Sequence, residues 1–309
     1  MRILITGGTG FIGSHLVPFL LEQGHAVTVQ SRDPQRARRQ YHDKVDAVAS
    51  IFDVAAGCEP EAVINLAGEN LTEGRWSHRR KQAMRDSRIG TTAELNRFFA
   101  THAQRPRIFI SGSAIGYYGS DDTRDFVEAD SAGDDFAAIL CRDWEREARQ
   151  AASFGIRVCL LRTGLVLGRG GGMLEKLLPV FRLGLGGPLG NGRQWMSWVH
   201  IDDLIGIIDL CLRDDRLEGP VNGTAPEPVD NNTFTRTLAR TLHRPAFFRV
   251  PAFMLRLMLG EMADLLLSGQ KVLPQKAQQH AYSFRFPHLD AALADLLDAS
   301  APTHRESIS

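Results

Sequence analysis

The sequence predicts an α/β protein: a doubly wound parallel sheet with helices on both faces, followed by a smaller, mostly helical C-terminal domain. Three observations predict it. Apolar runs ending in small or polar residues alternate with helical patterns through the first half of the chain. The first of those runs opens into a glycine-rich turn. From Gly168 onward the pattern changes to glycine-interrupted stretches and then to proline-broken helices. At 309 residues the chain is long for one core. The division expected is 1–167, with 196–224 returning to it, against 168–195 and 225–300, with a polar tail at 301–309.

The first strand is the apolar run Ile3 to Ile5. It leads into Thr6-Gly7-Gly8-Thr9-Gly10-Phe11-Ile12-Gly13, where Gly8, Gly10 and Gly13 fit the spacing G-x-G-x-x-G. Glycines here let the backbone approach a pyrophosphate and let the next helix pack closely on the strand. That helix, Phe11 to Glu22, offers unpaired N–H groups and a positive dipole end to phosphates. Gly7, Thr9, Gly10, Phe11, Ile12 and Gly13 are therefore candidate dinucleotide ligands. The spacing alone is a weak signal, because a tight turn that binds nothing can share it. The strand before it, and the helix and second strand after it, supply the context a dinucleotide site needs.

The second strand, Ala26 to Gln30, ends at Ser31-Arg32-Asp33. An acid at the strand end holds the ribose 2′-hydroxyl in NAD sites. Ser31 and Arg32 stand there instead, and a guanidinium can pair with a 2′-phosphate and stack on adenine, which predicts NADP. Asp33 follows directly and leaves NAD open as a second cofactor. Arg36, Arg38 and Arg39 read as a solvated helix face.

The next runs are Val45 to Ala49, Ala62 to Leu66, Arg107 to Ser111 and Arg157 to Arg162. Ligands of such sheets bind beyond the carboxyl ends of the strands. This puts Asn65-Leu66-Ala67-Gly68-Glu69 and Ser111-Gly112-Ser113-Ala114 at the rim, where small residues let a flat cofactor lie against the backbone. The glycines between Gly168 and Gly192 read either as loops covering the site or as irregular connections of the second domain. Trp198 to Asp203 resumes a strand and opens a helix with Asp202 or Asp203 as N-cap, so His200 reads as structural. Arg249 to Leu297 reads as two or three helices broken by Pro251, Pro274 and Pro287.

The 36 Lys and Arg balance the 36 Asp and Glu. A neutral chain gives no global electrostatic reason for a nucleic acid or an anionic membrane as partner, and a small molecule is expected instead. Cys58, Cys141, Cys159 and Cys211 are widely spaced, with no C-x-x-C pair and no metal-ligand spacing. That usage fits a reduced, cytoplasmic setting and no metal. Neither a signal peptide nor an apolar run of membrane-spanning length is present.

Together these landmarks resemble the extended short-chain dehydrogenase/reductase superfamily, with its Rossmann-type fold, over essentially the whole chain. Thr6 to Gly13 matches T-G-G-x-G-x-x-G, Asn65 to Gly68 matches N-A-A-G, and Ser113 matches the serine after the next strand. Arg162 to Gly168 resembles R-x-x-x-V-x-G, and Trp198 to Asp203 resembles F-V-H-V-D-D. More narrowly, the chain is similar to an atypical epimerase family subgroup that carries a C-terminal domain of unknown function. Asn65 to Glu69, Gly116-Tyr117-Tyr118-Gly119, Phe181 to Pro188, His200 to Asp203 and Gly269 to Pro274 carry that similarity. The resemblance implies NADP, with Leu66, Ala67, Gly68, Arg88 of the Ser87-Arg88 pair and Val166 beside it. It implies no established substrate. A two-helix homodimer interface is common in the superfamily, and some subgroup members carry a cell-division-inhibitor label.

Carbonyl chemistry in the superfamily uses Y-x-x-x-K on a helix, where one turn aligns phenol and ammonium and the cation lowers the phenol pKa. Tyr41, Tyr117, Tyr118 and Tyr282 are followed four places on by Val45, Asp121, Asp122 and Phe286, so the pair is absent. Aligning Glu145 with the acid that commonly follows the lysine puts Cys141 at the lysine and Ala137 at the tyrosine. Cys141 reads as a small buried hydrophobe. Ser113 remains to hydrogen-bond a carbonyl. Tyr117 or Tyr118 can supply a phenol, an acid more readily than a base, or an aromatic wall. Two functions follow: an NADP-dependent oxidoreductase or nucleoside-diphosphate-sugar epimerase-like protein, or a non-catalytic NADP-binding sensor or regulator. The missing base weakens epimerisation most, because that reaction must return the proton it abstracts.

Overall fold

Ile3, Leu4 and Ile5 are each at most 1% exposed, so the first strand is buried on both faces, as a parallel sheet covered by helices requires. In the computed structural model, which describes residues 1–55, 57–71 and 74–298, this strand lies in the interior of a seven-stranded sheet. Its strands are β1 (Arg2–Thr6), β2 (Ala26–Gln30), β3 (Asp46–Val48), β4 (Ala62–Asn65), β5 (Ile108–Ala114), β6 (Arg157–Thr163) and β7 (Gly219–Gly223). The order is β7-β6-β5-β4-β1-β2-β3, and every neighbouring pair is parallel.

The two-residue period of a strand divides the core into two layers. Ile3 and Ile5 pack with Leu16 and Leu20 of the Phe11–Glu22 helix and with Leu204 and Ile208 of the Ile201–Arg213 helix. Leu4 faces the other way, among Val63, Phe98, Phe109 and Leu160. The chain runs outward from β1 in one direction through β2 and β3, and in the other through β4 to β7. The strand order therefore reverses between β1 and β4, which opens a crevice at their carboxyl ends.

A separate core gathers Leu167, Leu174, Phe181, Trp198, Phe234 and Leu293 between the helices Gly172–Arg182, Asn231–Thr241 and Leu289–Leu297. Pro251 and Pro274 cap the helices Ala252–Leu259 and Gln275–Gln279, and Pro287 precedes the last helix. A short strand, Gln270–Val272, pairs in parallel with Asp121–Phe126 and brings the C-terminal region beside the β5 loop. The polar tail 301–309 lies outside the described residues.

One expectation changes. The Ile201–Arg213 helix is capped by neither aspartate but by His200, whose Nδ1 accepts the Asp202 N–H at 3.1 Å. Burial lowers the His200 pKa, which favours the neutral acceptor. Asp203 turns inward and accepts the backbone N–H groups of Arg285 and Phe286 at 2.8 and 2.9 Å, fastening the C-terminal segment. The glycines after Gly168 are mostly places of close packing. A Cβ at Gly171 would lie 2.3 Å from the Phe11 ring, and one at Gly186 would lie 2.7 Å from the Phe181 ring.

Candidate functional site

The turn after β1 closes through the Gly10 N–H, which donates to the Gly7 carbonyl at 3.0 Å. Gly7 has φ 71°, and a Cβ there would stand 2.6 Å from the carbonyl carbon of Leu66. The loops after β1 and β4 thus meet backbone to backbone at the crevice. No side chain caps the Phe11–Glu22 helix at Gly10, so its leading N–H groups stay available to an anion. Thr9 completes the turn. Ile12 and Leu66 pack on the core beneath it, as does Val166 from the strand Leu165–Leu167.

Beyond β2, the Tyr41 hydroxyl donates to the Gly8 carbonyl and ties the next helix to the glycine turn. Ser31 Oγ accepts the Asp33 N–H at 3.2 Å. Asp33 is engaged as a helix cap, its Oδ1 accepting the Arg36 N–H at 2.9 Å. One carboxylate oxygen of the acid that left NAD open is thereby engaged. Arg32 is exposed and makes no hydrogen bond or ion pair with any described residue. Arg36, Arg38 and Arg39 are exposed on the helix Pro34–Gln40, as read from sequence, and Arg38 also donates to the Ala47 carbonyl at 3.0 Å.

Arg88 lies in a π-helical turn, Asp86–Gly90, and is 9% exposed. Its guanidinium donates to the Met84 and Glu69 carbonyls at 3.2 and 2.9 Å and lies 5.4 Å from the Trp144 ring. No carboxylate pairs with it among the described residues. A Cβ on Gly68 would sit 3.0 Å from its Cζ, so the guanidinium borders the rim loop. Burial pulls the Arg88 pKa below the usual arginine value. A buried cation without a counter-charge is a place where an anionic ligand lowers the energy.

Sequence reasoning did not reveal the polar chain behind this edge. Thr6 Oγ1 donates to Asn65 Oδ1 at 2.6 Å, and Asn65 Nδ2 donates to Thr92 Oγ1 at 2.9 Å. Trp144 Nε1 donates to the same Thr92 oxygen at 3.0 Å, and Thr92 Oγ1 donates to the Arg88 carbonyl at 2.7 Å. The Ala67 N–H donates to Asn65 Oδ1 at 3.2 Å. These bonds join the ends of β1 and β4 to the turn that carries Arg88. No local motif reveals such a chain from sequence, because its members are distant along it.

Of the three candidate catalytic hydroxyls, Ser113 lies near the end of β5 and Tyr117 and Tyr118 lie in the turn that follows it, and they have different fates. Ser113 Oγ, buried, donates to Glu145 Oε1 at 2.8 Å. Glu145 is held by Arg162 through two bonds, Nε to Oε1 at 2.7 Å and Nη2 to Oε2 at 2.9 Å. Tyr118 accepts from Arg162 Nη1 at 2.9 Å and donates to Asn222 Oδ1 at 2.7 Å. Burial pushes the Tyr118 phenol up to about 12. Tyr118 is thus part of a closed internal network, and Ser113 has already spent its proton on Glu145. Tyr117 is half-buried, stacks on the Arg162 guanidinium with Cζ 3.5 Å from the ring centroid, and its hydroxyl bonds to no described residue.

At the positions aligned with the tyrosine and lysine of the family pair, Ala137 packs near Gly116 and Cys141 is buried. Burial pushes the Cys141 thiol up to about 12, which disfavours the thiolate that a nucleophile needs. The edge therefore combines a glycine cradle, an uncapped helix end, a free arginine beyond β2, a buried arginine and one unspent phenol.

The model of the NAD dependent epimerase/dehydratase family matches residues 3–222, and that of a domain of unknown function matches residues 250–296. The human epimerase family protein SDR39U1 is 37% identical over 303 residues, covering 96% of this chain and all of that protein. YfhF, an epimerase family protein of Bacillus subtilis, is 36% identical over 305 residues, covering 96% of this chain and 98% of that one. A crystal structure of human SDR39U1 with NADPH superposes with a TM-score of 0.86 at 36% identity, covering 96% of this chain and 99% of that one. With the parallel sheet, the crevice at its switch point and the C-terminal domain all in place, the chain belongs to the NAD dependent epimerase/dehydratase family of extended short-chain dehydrogenases/reductases, as one of its SDR39U1-like epimerase family proteins.

Proposed function

We propose that the protein binds NADP(H), with Arg32 at the 2′-phosphate, and reduces a carbonyl group of a small molecule. The observation that carries the catalytic part is the Tyr117 hydroxyl. It alone of the three candidate hydroxyls has no partner among the described residues. The cradle fits the cofactor: glycines stand where a Cβ would collide, helix N–H groups are unspent, and Arg32 is exposed without a counter-charge. When bound, NADPH supplies the hydride. Tyr117 then gives its phenolic proton to the carbonyl oxygen as negative charge develops there, leaving an alcohol. Arg162, stacked on the Tyr117 ring, holds the phenol in orientation. Arg88 supplies positive charge beside the rim loop, as lysine does elsewhere in the superfamily. This arrangement suits an acid, and reduction needs an acid; epimerisation also needs a base, which Ala137 and Cys141 do not supply.

Two measurements test the reading. Arg32→Ala is expected to weaken NADPH several-fold to a hundredfold, roughly 1–3 kcal/mol for a charge-assisted contact, and to leave NADH nearly unaffected. Equal losses for both overturn the 2′-phosphate assignment. NADPH oxidation is then followed across a panel of carbonyl compounds. Tyr117→Phe is expected to lower turnover by about a hundredfold at unchanged NADPH affinity. If NADPH stays unoxidised throughout, the second reading stands: an NADP-binding sensor or regulator, which Ala137 and Cys141 at the two catalytic positions favour.

A further inference from the structure

The two segments 176–193 and 231–260 contain no Asp or Glu, yet they hold seven arginines. All seven are exposed, and only Arg256 has a carboxylate within 4 Å among the described residues, Asp264 at 3.6 Å. The same two segments contain nine of the eleven exposed large hydrophobic side chains described in the chain, led by Phe247 at 77% and by Leu183 and Leu257 at 74%. The chain as a whole is neutral. Its balance, from which no membrane partner is expected, conceals a basic and apolar region.

The backbone joins the 182–190 part of the first segment to the 244–250 part of the second. The Phe248 N–H donates to the Gly186 carbonyl, the Val250 N–H to the Pro188 carbonyl, and the Gly190 N–H to the Val250 carbonyl. Arg244 Nε donates to the Arg182 carbonyl at 2.9 Å. Leu183 and Leu185 therefore lie beside the loop that carries Phe247 and Phe248. The Ala252–Leu259 helix follows at once, with Phe253 and Leu257 on its exposed face and Leu255 buried on the other.

We propose that this surface docks onto an anionic lipid bilayer, with the Phe247-Phe248 loop and the outer face of the Ala252–Leu259 helix entering the interface and the arginines meeting the headgroups. Exposed apolar side chains accompanied by arginines, of which only Arg256 has a carboxylate within 4 Å among the described residues, are complementary to a layer that is apolar inside and negative at its surface. No described helix is long and apolar enough to cross a membrane, so the contact is peripheral.

The test is co-sedimentation of the full chain with phosphatidylcholine vesicles, with and without phosphatidylglycerol, at low and high salt. Binding is expected only with phosphatidylglycerol, and salt should release it. The double variant Phe247→Ser with Phe248→Ser, and separately Arg182→Gln, are expected to weaken binding, the former by more than about tenfold. NADPH affinity and the unfolding midpoint should stay at wild-type values, which separates lost docking from lost folding. The proposal is overturned by three results: no sedimentation, equal sedimentation with phosphatidylcholine alone, or a dimer in light scattering that the Phe247→Ser, Phe248→Ser variant dissolves. The last outcome would mean that a second copy covers the surface.

Discussion

Replacing Arg162 by leucine is expected to cost about 3–5 kcal/mol of stability, the range for removing one partner of a buried ion pair. Arg162 is 1% exposed and Glu145 2%. Their two hydrogen bonds are the main compensation for taking both charges out of water. Burial alone would lower the Arg162 pKa, but the Glu145 bonds and charge outweigh it and raise the value. Without the guanidinium, Glu145 keeps only Ser113 and a 3.5 Å contact from Arg149, whose side chain is half exposed. Tyr118 loses a donor, and Tyr117 loses the plane on which it stacks. Urea unfolding of Arg162→Leu, of Glu145→Leu and of the double variant checks this. The double variant should recover a substantial part of the loss, since two apolar residues leave no stranded charge. A single-variant cost under about 1 kcal/mol would mean that water reaches the pair and that it behaves as a surface bridge.

The sequence could not reveal this network, and the reason is physical. Strands of a covered parallel sheet read as apolar runs, so β1 to β6 were legible. The glycine spacing was legible too, because a turn and the helix it opens are local. β7 was not, since Gly219-Pro220-Val221-Asn222-Gly223 carries no apolar run. It is a strand because β6 lies beside it, and buried Asn222 is satisfied by Tyr118 and by donation to the Leu273 carbonyl. The Thr6–Asn65–Thr92–Trp144 chain joins residues 27 to 59 positions apart, which no local pattern encodes. Arg162, Ser113 and Glu145 were each visible as landmarks, but not that Glu145 bonds to both of the others. The basic, apolar surface was hidden for a different reason. A net charge sums over the whole chain, whereas docking depends on where charges of one sign collect.

Gly13→Ala is expected to lower NADPH affinity by about a hundredfold or more, although Gly13 has no positive φ and alanine favours helices. The cause is distance. A Cβ at Gly13 would stand 2.3 Å from the Gly8 carbonyl oxygen and 2.6 Å from Gly8 Cα. Those atoms are backbone, so no side chain can swing aside, and the helix start must move away from the turn. The uncapped N–H groups then leave the geometry that the glycine turn sets for phosphates. A loss of about 2.7 kcal/mol in phosphate contacts corresponds to that hundredfold. Gly24→Ala supplies the contrast, because its φ of 76° makes any side chain strained while nothing lies within 4 Å of the added methyl. It should cost about 1–2 kcal/mol of folding stability and leave NADPH affinity unchanged. Fluorescence titration of NADPH, with unfolding curves to keep both variants folded, separates the two effects. If both variants lose stability alone and bind NADPH equally, close packing of helix on turn is not what builds the cofactor site.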